Sequence, residues 1–167
     1  MNTMREIKIE KITINIGVGE AGEKLDRAKK LLERLTNKKI VLTRTAKRTT
    51  FGTPKGRTIG CKVTLRKNDA LEFLKKAFDA LDFKLNESIF DKQGNFSFGI
   101  KEHIDLPGVR YDPEIGIYGM DVSVTLERRG FRTKRKRIAH DIGKSHVIKP
   151  EDAKEWVSQK FNVKIGE

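Results

Sequence analysis

The chain has 167 residues and a mass of 19.1 kDa, and its 36 Lys and Arg against 23 Asp and Glu leave a formal charge of +13. One cysteine, Cys61, excludes an internally stapled secreted scaffold, and no run of about 18 apolar residues reads as a membrane span. A pI near 9.9 points to a polyanionic partner, most simply nucleic acid, for a chain expected to be soluble and intracellular.

In chain order, Ile12, Ile14, Ile16 and Val18 alternate with Lys11, Thr13, Asn15 and Gly17, the period of a half-buried strand. Residues 23–36 place Leu25, Ala28, Leu31, Leu32 and Leu35 on one helical face. Residues 39–45 read as a second strand. Residues 49–58, rich in Gly and Pro, read as a loop, and Ile59, Cys61, Val63 and Leu65 restore the alternation as a third strand. Asn68 or Asp69 is expected to cap a second helix running to Leu81, with Asp69 and Glu72 as a capping box. Residues 85–90 and 96–104 flank the turn-like Asp91–Asn95 and suggest a hairpin. Residues 105–119 look irregular, 120–126 alternate again, and Pro150 opens a last helix with Ala153, Trp156, Val157 and Phe161 inward. The expectation is one α+β domain over residues 1–167: a largely antiparallel sheet with helices on one face and the other face open.

Charge is not spread evenly. Residues 38–67 carry ten bases and no acid, residues 127–149 carry nine bases and two acids, and residues 68–126 between them are acidic. A merely solvated surface would mix the signs, so both basic stretches read as polyanion-binding. An acidic membrane surface fits less well, because the charge does not lie along one amphipathic helix. The outward residues of the first three strands, Thr13, Asn15, Thr43, Lys62, Thr64 and Arg66, are donors, acceptors and cations, which suit phosphate, ribose and base edges. Loop 47–58 adds Lys47, Arg48, Lys55 and Arg57 around Phe51, a cationic probe with one ring. Residues 128–137 hold seven bases and one aromatic ring: Arg128, Arg129, Phe131, Arg132, Lys134, Arg135, Lys136 and Arg137.

No enzyme emerges from the remaining motifs. Gly17-Val-Gly-Glu-Ala-Gly22 is formally G-x-G-x-x-G between a strand and a helix, which would make a nucleotide-dependent enzyme the alternative reading. Its strand alternates polar and apolar, Glu20 would face the pyrophosphate, and no acid lies between Glu33 and Asp69 to hold a ribose, so the glycines read as a turn. Residues 52–58 fall one residue short of a P-loop and carry Arg57 where Lys belongs. His103, His140, His146 and Cys61 have no metal-ligand spacing, so neither metal nor cofactor is expected, and the histidines read as facing solvent or RNA. A free-standing RNA chaperone of the same fold is a third reading, although residues 95–99 echo the usual RNA-binding sheet signature only loosely.

Four stretches carry a resemblance in order along the chain: KITINIGVGEA (11–21), VLTRTAKRTTFGTPKGRTIGCKVTLR (41–66), NFSFGIKEH (95–103) and YDPEIGIYGMDVSVTL (111–126). Together they resemble the large-subunit ribosomal protein number five family, and the stretch from Glu127 to Trp156 resembles its archaeal and eukaryotic branch. An archaeal source also fits the 35% charged content and the presence of only two Gln, a composition typical of heat adaptation. The resemblance implies a structural, non-enzymatic role in the cytoplasmic ribosome. It implies 5S rRNA binding through the open sheet face by Lys11, Thr13, Asn15, Thr43, Arg44, Lys62, Thr64 and Arg66, although Asn15 could instead brace the glycine turn. It implies contact with the peptidyl-site tRNA through Lys47, Arg48, Thr49, Thr50, Phe51, Lys55 and Arg57. The segment near 107–119 would reach a small-subunit head protein across a subunit bridge, and a neighbouring 5S-binding protein of the large subunit would lie alongside. The basic residues Arg128, Arg129, Arg132, Lys134, Arg135, Lys136 and Arg137 would then meet 23S rRNA or 5S rRNA, an assignment that rests on charge.

Overall fold

A computed structural model describes residues 2–48, 50 and 52–166. Its main sheet is formed by β1 (Ile7–Gly17), β2 (Val41–Arg44), β3 (Thr58–Leu65), β5 (Phe96–Ile100) and β6 (Met120–Arg128), in the strand order β2-β3-β1-β6-β5. The fold class is α+β, with an antiparallel sheet and, among the described residues, three α-helices: α1 (Glu23–Thr36), α2 (Lys67–Asp79) and α3 (Pro150–Phe161). Alternation decides the faces. In β3, Cys61, Val63 and Leu65 are buried while Lys62 and Thr64 are exposed, and in β6 Met120, Val122, Val124 and Leu126 are buried.

The helices start and stop for local reasons. α1 carries Glu23 and Asp26 in its first turn, favourable to the helix dipole, and ends at Asn37 in a left-handed conformation whose N–H bonds the Glu33 carbonyl. α3 begins with Pro150, where the missing N–H costs nothing, and ends in the same way at Asn162. α2 departs from the expected start. Its cap is Arg66, with no side-chain capping bond, so Asp69 lies inside the first turn and the Asp69–Glu72 capping box does not form. The expected hairpin is also reduced to a single bridge, Phe90 opposite Phe96. The preceding strand, β4 (Lys84–Asn86), pairs instead in parallel with β7 (Lys164–Gly166) to make a separate two-stranded sheet.

The chain divides into two compact units. The first comprises residues 1–12, 66–98 and 123–167. Its core is aromatic: Phe78 of α2 packs on Phe98 at 5.8 Å and edge-on against Phe161 of α3 at 5.2 Å between ring centroids. Gly94 closes the turn before β5 at a φ of +74°, in a space where a Cβ would lie 2.6 Å from Ile148 Cγ2. The second unit comprises residues 13–65 and 99–122, and in it α1 packs its Leu25, Ala28, Leu31 and Leu32 stripe against β3.

Candidate nucleic-acid interface

In the second unit the polar face is built by β1, β3 and the edge strand β2. Antiparallel register sets Val41 opposite Lys62 and Thr43 opposite Gly60, so these residues share one side of the sheet. Thr13 and Asn15 are half-buried between buried Ile12, Ile14 and Ile16, and Lys62 and Thr64 are exposed. The structure thus gathers Thr13, Asn15, Thr43, Lys62 and Thr64 on one acid-free surface. It adds a residue that polarity does not mark: Val41, 54% exposed, stands beside Lys62 as a small apolar platform.

Arg44 shares the sequence phase of buried Ile40, yet it is exposed. A register shift between Thr43 and Arg44 pairs Arg44 with Thr58 instead of Ile59, and this bulge breaks the alternation. Gly60 makes the tight approach possible, because a Cβ there would lie 2.8 Å from the Ile16 carbonyl oxygen and 2.9 Å from Thr43 Oγ1.

The basic loop leaves β2 from an anchored base. Buried Thr45 donates through Oγ1 to the Pro54 carbonyl at 2.8 Å; its N–H reaches the Arg57 carbonyl, and its own carbonyl accepts from Gly56 N–H, both at 2.9 Å. Lys47, Arg48, Thr50, Lys55 and Arg57 project from it, all exposed, whereas Thr49 and Phe51 lie outside the described residues. Thr45 is the residue that sequence reasoning missed, since nothing in composition separates it from the neighbouring threonines. Beneath the same face, burial pushes the Cys61 thiol up to about 11, which keeps it protonated and unreactive.

The glycine motif serves a turn. Val18 and Gly19 both donate N–H to the Ile59 carbonyl, at 3.0 and 2.8 Å, and Gly19 and Gly22 have φ of +81° and +126°. Those amides are used within the fold. β2, which follows α1, lies at the sheet edge and not beside β1 as a parallel dinucleotide-binding unit requires. His103 corrects the expectation of a solvent- or RNA-facing ring. It is 1% exposed, its Nδ1 accepts the Tyr118 N–H at 3.3 Å, and burial lowers its pKa against the opposing pull of Glu102 and Asp105. Among the described residues no group of three or more His, Cys, Asp or Glu could hold a metal ion.

In the first unit the predicted cations divide by environment. Lys11 is half-buried, and Arg66 is exposed at 3.7 Å from Glu10. Arg128, the last residue of β6, is buried and pairs with Asp152 at 2.8 Å, so it does not belong to an accessible RNA surface. Arg129 reaches Glu6 at 3.8 Å, and Arg135 bridges Glu10 and Glu127. Arg132, Lys134, Lys136 and Arg137 are exposed around the 3-10 turn Phe131–Arg135.

Comparison with known proteins identifies the family. Residues 58–152 match the C-terminal model of the ribosomal L5 family, and residues 2–50 match Ribosomal protein L5. The chain belongs to the ribosomal protein L5 family. It is 51% identical to the large ribosomal subunit protein uL5 of Sulfolobus acidocaldarius, over 99% of this chain and 94% of that one. It is 52% identical to the uL5 of Sulfurisphaera tokodaii over 100% and 96% of the two chains, and 47% identical to that of Methanosphaera stadtmanae over 99% of both. These relatives mark it as an archaeal member of a structural, non-enzymatic family of large-subunit ribosomal proteins.

Proposed function

We propose that this chain is a structural constituent of the large subunit of the cytoplasmic ribosome that docks 5S rRNA in the central protuberance. In this reading Lys11, Thr13, Asn15, Thr43, Arg44, Lys62, Thr64 and Arg66 meet the 5S rRNA. Loop 47–58 touches the peptidyl-site tRNA. The cations that remain exposed in 127–149 meet 23S rRNA or 5S rRNA, and the 107–119 segment contributes to a bridge with a small-subunit head protein. A second 5S-binding protein of the large subunit is the expected neighbour.

The observation that carries the reading is the second-unit face of β1, β2 and β3, which holds no acid, whereas Glu10 of β1 lies in the first unit and pairs with Arg66 at 3.7 Å. Two cations, three hydroxyls, a carboxamide and one apolar side chain are displayed with no carboxylate among them. Such a surface holds phosphates through its cations and reads ribose and base edges through its short polar groups. Its bulged edge strand and the close approach at Gly60 give it a fixed shape, which is what recognition of a folded RNA requires. The mechanism is electrostatic and shape-based, without bond-making. Binding of 5S rRNA by a Lys62→Ala, Thr64→Val variant tests it: weakening by about ten- to a hundredfold is expected, and unchanged affinity would refute the assignment of this face.

A further inference from the structure

Seven cations within ten residues repel one another and would hold an isolated segment open. Here the segment is closed at its base and pinned near its middle, entirely within the first unit. At the base, Arg128 Nη1 donates to the carbonyls of His146 and Val147, at 3.4 Å each. His146 Nε2 lies 2.8 Å from the Arg129 carbonyl oxygen, and the Phe131 ring packs edge-on against the His146 ring at 5.6 Å. Nearer the middle, Arg135 donates from Nη1 to Glu10 Oε1 at 2.5 Å and from Nη2 to Glu127 Oε2 at 2.6 Å.

Those two carboxylates come from different strands of the sheet, and their side chains are only 14% and 29% exposed. A guanidinium forked between two partly desolvated carboxylates is held far more firmly than an exposed surface pair. Among the described residues Arg132, Lys136 and Arg137 form no ion pair and are exposed to solvent. The segment therefore sorts its charges: some fasten it to the sheet, and the others are displayed.

We propose that Glu10 and Glu127 anchor the basic segment through Arg135, a positioning residue, so that Arg132, Lys136 and Arg137 face the phosphate backbone of the RNA as a preformed surface. This rests on the RNA-binding reading above and adds which cations bind and which position. It also reverses the sign expected of the two carboxylates. Counted as charges they oppose RNA binding; as anchors they favour it, because the phosphate-facing cations meet the RNA without first being ordered.

The experiment compares the full-length wild type with Glu10→Gln/Glu127→Gln and with Arg135→Lys, measuring affinity for a 5S rRNA transcript and the rate of tryptic cleavage within 132–137 in the free protein. The inference predicts that both variants bind about five- to tenfold more weakly and are cut faster, because each loses the fork without losing positive charge. Tighter binding by the double variant, which has gained two units of positive charge, would overturn it. So would wild-type affinity or wild-type cleavage in Arg135→Lys. If the wild type itself fails to bind 5S rRNA, the RNA reading falls first, and that outcome is distinct from a wild type that binds and a double variant that binds tighter.

Discussion

Arg128 donates from Nη2 to Asp152 Oδ2 at 2.8 Å, tying the last residue of β6 to the first turn of α3. The Arg128 side chain is 10% exposed, and its Nε is buried without a partner, so the guanidinium is committed to the fold. Replacing it with Met keeps the aliphatic packing and leaves half-exposed Asp152 to be solvated. Arg128→Met is expected to act chiefly on the fold, lowering unfolding free energy by about 1–3 kcal/mol in urea titrations, with RNA affinity falling only as the base of the basic segment loosens. Arg137→Met should do the reverse, leaving stability within about 0.5 kcal/mol and reducing RNA affinity.

Gly60 has no room for a methyl group. Two oxygens stand within 3 Å of its missing Cβ, and one of them, on Ile16, belongs to the backbone of the adjacent strand. Gly60→Ala is therefore expected to cost about 1–3 kcal/mol. Adding Thr43→Ala should recover only part of that loss, since the Ile16 carbonyl remains. Gly17→Ala, where nothing lies within 4 Å and φ is not positive, should cost distinctly less in the same thermal or urea assay.

His103 makes stability pH-dependent. Burial lowers its pKa in the folded protein below the ordinary 6.5, so the unfolded chain binds the proton more readily. The contribution of neutral His103 is complete above about pH 6.5 and is lost as pH falls through the lower folded value. Unfolding free energy measured at pH 7.5 and at 5.5 should fall toward the acid side, and His103→Gln should flatten that difference. An unchanged slope in the variant would assign the pH dependence to another group.

Strands and helices with strict periods were readable in the sequence because burial follows geometry: α1, running from Glu23 to Thr36, needs only its leucine stripe to define it. The parallel β4–β7 pair was not, because three-residue strands joined across more than 70 positions have no period to display. The polar face of the sheet was legible from alternation at Lys62 and Thr64. Arg44 was not, because a bulge moves it and no local residue announces the bulge. Charge counting found the basic segment but treated its members as equal. Only the folded chain separates Arg128 and Arg135, paired with acids from distant parts of the sequence, from Arg132, Lys136 and Arg137 on the surface.

The proposed recognition of folded 5S rRNA by shape is tested most directly by the affinity of the full chain for 5S rRNA with excess tRNA as competitor, between about 50 and 200 mM salt. Recognition by the fixed sheet face predicts binding that survives the competitor and retains substantial affinity at the upper end of that range. Binding abolished by tRNA, with an affinity that collapses as salt rises, would mean that the +13 charge alone attracts RNA and would contradict the account.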